Sequence, residues 1–208
     1  MSNGLGSSMG YASPKSLLLS VPDRLALQVT PAQFAALAAA NRDLRLERTA
    51  TGELIVNPPT GSETGYRNWS LSGELYLWWR NAGEPGKAFD SSSGFELPNG
   101  ATRSPDASWV SSDRWEALTP DQRRGFAPLC PDFVVELRSE GDILKDLQAK
   151  LTEYIENGAR LGWLIDPKSK RVEIYRPGQA VEVLNNPSTM SGDPVLPGFA
   201  LHLERVWA

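Results

Sequence analysis

The sequence predicts an α/β (α+β) fold, a mixed β-sheet flanked by helices with an N-terminal helix and β-hairpin in front of it. Three observations predict this. The chain has 208 residues, 40% of them hydrophobic and 22% charged, which is enough for one substantial core. Short apolar runs bounded by turn residues, Phe133–Leu137 and Leu161–Asp166, have the length and punctuation of buried strands. Segments of helical period occur among segments of period two, an order that suits helices packed on the flanks of a sheet. Residues 1–22 are expected to form a flexible Ser/Gly-rich tail and residues 23–208 a single domain.

In chain order, Thr30-Pro31 opens a helix to about Ala40, with Thr30 as N-cap and Pro31 at the first helical position. Leu44–Thr49 alternates, Thr51-Gly52 turns, and Glu53–Asn57 returns, a β-hairpin. A long helix is expected from about Glu63 to Asn81, with Leu71, Leu75, Trp78 and Trp79 at helical spacing and Gly83 at its end. Ala88–Leu97 reads as a strand or strand pair and Ser104–Val110 as another strand. Residues 111–130 form a helix or loop excursion, in which Thr119-Pro120 starts a short helix. Phe133–Leu137 is followed by a helix from about Ile143 to Asn157, ended by Gly158. Strands then follow at Leu161–Asp166 and Arg171–Arg176, with a further edge strand at Gln179–Leu184. Residues 185–200 are loop-rich, and Leu201–Val206 closes the chain as a late strand.

Several chemistries are excluded or confined. Cys130 is the only cysteine, so an intrachain disulfide or cysteine zinc cluster is ruled out. His202 is the only histidine, which excludes multi-histidine metal sites and obliges any Ser-His-Asp triad to use it. It reads better as a surface or satisfied histidine. A net charge of −4 is not that of a nonspecific nucleic-acid binder. No apolar run approaches a membrane span and no secretory signal is apparent, so the expected location is cytoplasmic and no membrane partner is expected.

One residue breaks the pattern of its strand. Glu136 lies inside the apolar run Phe133–Leu137, and a buried carboxylate is costly unless paired, protonated or metal-bound. Pro105-Asp106 and Pro131-Asp132 each begin a strand, so neighbouring strands can bring Asp106 and Glu136 together. Two carboxylates with water and a backbone carbonyl make a hard oxygen site suited to Mg²⁺. On the next helix Asp146, Lys150 and Tyr154 recur at four-residue spacing and share a face. Asp146 and Lys150 also fit an ordinary solvated ion pair.

This ordered series resembles the Uma-type family of restriction endonucleases in the restriction-endonuclease-like PD-(D/E)xK nuclease superfamily. It runs from Ser104-Pro105-Asp106 through Pro131–Glu136 and Asp146-Leu147 with Lys150 and Tyr154, to Gly158 and Trp163–Pro167. Leu46-Glu47, Gly52-Glu53-Leu54 and Pro58-Pro59 match its N-terminal hairpin, and the likeness covers about residues 28–180. The resemblance implies a restriction-endonuclease-like fold and Mg²⁺-dependent hydrolysis of phosphodiester bonds in DNA, with Mn²⁺ as a possible substitute. Asp106 and Glu136 match its two acidic positions, as catalytic and metal-binding residues. Arg138 stands where the superfamily usually has lysine; Lys150, on the following helix, matches this family's displaced lysine. Glu47 and Glu53 are further candidates for the metal shell. Asp146, Arg138, Tyr154 and Glu74 are supporting candidates, and Arg103 and Lys145 are candidates to track a phosphate backbone. A homodimer is expected by analogy. The alternatives are a catalytically silent nuclease-like fold serving as a nucleic-acid-binding or protein-interaction module, and a metal-free carboxylate-pair hydrolase of sugars.

Overall fold

The computed structural model describes residues 26–208; the tail expected at residues 1–22 lies outside them. Helix α1 (Pro31–Ala40) begins with a capping box in which the Thr30 hydroxyl accepts from the Gln33 N–H and the Gln33 side-chain Oε1 accepts from the Thr30 N–H. Strands β1 (Arg45–Arg48) and β2 (Leu54–Asn57) form the antiparallel hairpin, with Glu47 opposite Ile55. Helix α2 (Ser62–Asn81) follows, and Gly83 beyond its end has φ 84°, a conformation glycine adopts without strain.

The segment expected as one strand or a pair at residues 88–97 is two strands in different sheets, β3 (Lys87–Asp90) and β4 (Phe95–Glu96). Strand β5 (Thr102–Arg103) was not apparent from so short a polar stretch, and β6 begins only at Ala107 (Ala107–Val110). Helices α3 (Ser112–Glu116) and α4 (Pro120–Arg124) make up the excursion, with Thr119 capping α4. Strand β7 (Phe133–Leu137), helix α5 (Leu144–Glu156) and strand β8 (Leu161–Asp166) follow, and then β9 (Arg171–Tyr175) and β10 (Glu182–Asn185). The end of the chain departs from expectation. The loop-rich stretch contains β11 (Thr189–Ser191), which pairs with β12 (Ala200–His202), and Glu204–Trp207 is helix α6 rather than strand. Leu201, Leu203 and Val206 are all buried against the core, so packing rather than alternation decides their conformation.

The central sheet has six strands in the order β10-β9-β8-β7-β6-β3, and a second sheet has the order β2-β1-β5-β4. Strands β7 and β8 are parallel, joined through α5, and every other pairing in the central sheet is antiparallel. The side-chain period of two separates the faces of β7. Phe133, Val135 and Leu137 pack with Leu71 and Leu75 of α2 and with the C-terminal segment, where Phe199 stacks on Trp163 at 5.8 Å. Val134 packs on the opposite face with Leu151 and Tyr154 of α5. Glu136 shares that face, so the fold aims its carboxylate at α5. Among the described residues no helix is long and apolar enough to cross a membrane.

One glycine holds the edge of the central sheet against its neighbour. Gly86 has φ 65°, and a Cβ there would lie 2.1 Å from the Val110 carbonyl oxygen. Gly86→Ala is therefore expected to destabilise the fold by at least ~2 kcal/mol, read as a lowered urea midpoint with an unchanged slope.

Candidate active site

The C-terminal end of β7, the inner face of β1, the start of α2 and the first turns of α5 enclose a cavity of about 890 Å³. Strand alternation on β1 turns both Arg45 and Glu47 into it. Asp106, just before β6, is anchored to β7 through backbone and side chain. Its N–H donates to the Val135 carbonyl at 3.0 Å, and its Oδ2 accepts from the Leu137 N–H at 2.8 Å. Its Oδ1 accepts from Arg45 Nη2 at 3.2 Å and from Asn68 Nδ2 at 3.4 Å.

Lys150 occupies the floor. Its Nζ lies 2.9 Å from Glu136 Oε1 and 2.9 Å from Glu47 Oε1. The Tyr154 hydroxyl, one turn along α5, donates to Glu136 Oε1 at 3.0 Å. Glu47 has further support: its Oε1 accepts from the Ser104 N–H at 3.1 Å and its Oε2 from Arg103 Nη1 at 3.4 Å. Arg103 is itself held by Glu153 at 2.6 Å, so it braces the buried wall and does not face the cavity. Arg138 lines the cavity but is tied to Asp166, with Nη1 to Oδ2 at 2.8 Å.

Asp106, Glu136, Lys150, Glu47 and Tyr154 therefore converge, while other expected residues stand apart. Asp146 is exposed, and Lys150 turns from it to the two buried glutamates. Glu53 does not line the cavity; its backbone closes the hairpin against Thr49 and bridges to Gln28. Glu74 lies on a different part of α2, accepting from the His202 N–H at 2.8 Å, and His202 is a surface residue. Arg45 and Asn68 were missed. Arg45 sits two residues before Glu47 on an alternating strand, a signal that was available; Asn68 has no such signal in its own helix.

Three buried carboxylates near one ammonium do not share it equally. Burial alone would raise the Glu47 pKa, but Lys150 and Arg103 override it and hold Glu47 below the usual range. Burial would lower the Lys150 pKa, yet Glu136 and Glu47 raise it, keeping the ammonium charged. Glu136 is left short of compensation: burial, opposed by Lys150 and reinforced by Asp106 and Glu47, pushes its pKa up to about 7.

The donor set suits a hard divalent cation. Seven carboxylates and five cationic side chains line the cavity, so it is acidic overall. Glu136 Oε1 takes both the ion pair with Lys150 and the hydrogen bond from Tyr154, and among the described residues no side chain bonds to Oε2. No three His, Cys, Asp or Glu side chains among the described residues converge as a cage. One or two carboxylates completed by water are what Mg²⁺ commonly accepts.

A mixed sheet with flanking helices and an acidic, lysine-bearing cavity at the end of its parallel strand pair has the architecture of a restriction-endonuclease-like nuclease fold. The model of the Uma2 family, described as "Putative restriction endonuclease", matches residues 31–204, and the chain belongs to that family. The fold is similar to a solved structure from Anabaena variabilis ATCC 29413 described as "a putative nuclease belonging to DUF820", with a TM-score of 0.65 at 19% identity, covering 78% of this chain and 89% of that one. No curated protein matches the chain.

The Glu136 environment makes a pH prediction. An unfolded glutamate ionises near pH 4.5, whereas folded Glu136 holds its proton to about 7. The stabilisation from that retained proton is complete below the unfolded value and is lost as pH rises through the folded one. With chelator present, the wild-type melting temperature is expected to fall more steeply from about pH 5 to about pH 8 than that of Glu136→Gln. Equal slopes in the two proteins would show Glu136 ionised throughout.

Proposed function

We propose that the protein is a metal-dependent endonuclease that hydrolyses phosphodiester bonds of DNA. The observation that supports this best is the meeting of Asp106, Glu136 and Lys150 in one acidic cavity, from the bend before β6, strand β7 and helix α5. Asp106 and Glu136 would hold Mg²⁺, or Mn²⁺ in its place. Such an ion, when bound, lowers the pKa of water and polarises a scissile phosphate.

The chain's own residues have distinct tasks. Lys150 stays protonated because two carboxylates flank it, so it acts as a hydrogen-bond donor and not as a base. It would orient the attacking water or stabilise charge growing on a phosphate oxygen. Glu47 fixes Lys150 in place and is a positioning residue: its Oε1 lies 2.9 Å from the ammonium, and Arg103 and the Ser104 N–H hold the carboxylate there. Tyr154 orients the Glu136 carboxylate. Arg138 cannot serve as a base at any ordinary pH, and its pairing with Asp166 fits the transfer of the lysine role to α5. Lys168 on the cavity wall would meet a phosphate backbone, and Arg67, which donates to the Ala208 carbonyl, would add positive charge beside it.

The excess of carboxylates also bears on the rival reading, a silent nucleic-acid-binding module. An acidic cavity repels phosphate until a cation offsets it, which favours metal-assisted chemistry over passive binding. Nicking of supercoiled plasmid is expected with Mg²⁺ or Mn²⁺ and not with chelator. Asp106→Asn, Glu136→Gln and Lys150→Ala are each expected to reduce it by about 10²-fold or more, with circular dichroism confirming that each variant folds. Absence of cleavage on single- and double-stranded DNA with both metals, over a range of salt, would favour the silent module.

A further inference from the structure

Helix α2 buries one face and leaves the opposite face apolar. Leu71 and Leu75 are in the core, yet Trp69 is 71% exposed, Leu77 58%, Tyr66 50% and Tyr76 49%. At about 100° per residue, Tyr66, Trp69, Gly73, Tyr76 and Leu77 fall within an arc of about 100° roughly opposite the buried leucines. A surface helix ordinarily carries charge there. Arg80 is the only cation on this arc among the described residues.

We propose that this stripe is the surface through which two copies of the chain associate, their α2 helices antiparallel about a two-fold axis at Gly73. The spacing supports a self-complementary contact. Trp69 lies four residues before Gly73 and Leu77 four after it, while Tyr66 lies seven before and Arg80 seven after. A two-fold axis at Gly73 sets Trp69 against Leu77 of the second copy, and Tyr66 against Arg80 of the second copy, an aromatic–cation pairing.

Gly73 itself fits this arrangement. A Cβ there would meet nothing within 4 Å, so the chain's own packing does not call for glycine. Mid-helix glycine costs roughly 0.5–1 kcal/mol relative to alanine. A close helix–helix approach at that point gives a reason for it. The stripe can supply the apolar centre of a contact whose rim lies outside it. At these exposures three aromatics of roughly 150–250 Å² each, with Leu77, present on the order of 400 Å². That is about half of the ~800 Å² each partner brings to a standard interface. Aromatic residues and arginine are the types enriched at such contacts. One cation on the arc is too few for a phosphate backbone, which disfavours nucleic acid as the occupant.

The surface lies apart from the carboxylates of the cavity, so its test reads association and is independent of cleavage. Sedimentation equilibrium of the full chain at micromolar concentration is expected to give twice the mass of one chain. Trp69→Arg combined with Leu77→Arg is expected to give a monomer with an unchanged circular dichroism spectrum and a melting temperature that no longer depends on protein concentration. Gly73→Cys is expected to form a disulfide-linked dimer on mild oxidation, while Gly65→Cys, eight residues from the axis on the same exposed side, stays unlinked; Cys130 is buried and takes no part. A monomeric full chain, its stripe bare or covered by residues 1–25, would overturn the proposal. So would a dimer that survives the double arginine substitution, equal cross-linking by the two cysteine variants, or association through the stripe only when DNA is present.

Discussion

The Lys150 ammonium is the interaction on which the rest of the structure depends. It sits 2.9 Å from carboxylates on two different sheets, Glu47 on β1 and Glu136 on β7, and it comes from the helix that crosses between β7 and β8. One side chain therefore ties the small sheet, the central sheet and α5 together. Taking three charges out of water is costly, and their attraction offsets the cost only when the remaining polar atoms are also satisfied. Arg103, Ser104 and Tyr154 supply those partners. Removing the ammonium would leave two buried carboxylates facing one another, a loss of about 3–5 kcal/mol by analogy with broken buried pairs.

The arrangement is uneven by construction, and the unevenness is chemically useful. Glu47 receives an ammonium, a guanidinium and a backbone N–H. Glu136 receives the same ammonium and a phenol, and feels the charges of Asp106 and Glu47 besides. A buried carboxylate short of positive charge is stabilised by any cation that can reach it. The charge that burdens the fold at neutral pH is thus the same charge that would draw a divalent ion into the cavity.

Much of this was legible from residues. The punctuated apolar runs of β7 and β8, the Thr30 and Thr119 caps and the face shared by Lys150 and Tyr154 are local properties, and local physics fixes them. Glu136 stands out because a carboxylate in an apolar strand needs a partner, and Lys150 on the next helix is the cation that the family resemblance points to. What failed was non-local. Asp146 and Lys150 have ideal helical spacing for an ion pair, yet a solvent-exposed pair is worth only a few tenths of a kcal/mol. Two buried carboxylates outcompete it. Glu53 and Glu47 stand on one hairpin, and only the tertiary position of that hairpin puts Glu47 in the cavity and leaves Glu53 out of it. Strands β5 and β11 are two and three residues long, too short to carry a period.

Helix α2 joins these themes, because its three surfaces answer to three different constraints. Its first two turns border the cavity, where Arg67 lines the wall and Asn68 reaches Asp106. Its inner stripe, Leu71 and Leu75, packs on the central sheet. Its outer stripe carries aromatics that neither the core nor the cavity uses. A twenty-residue helix is a long rigid body, so a contact that fixes its outer face also fixes the orientation of its first turn. Association through that face would therefore set the cavity entrances of two copies in a defined relation.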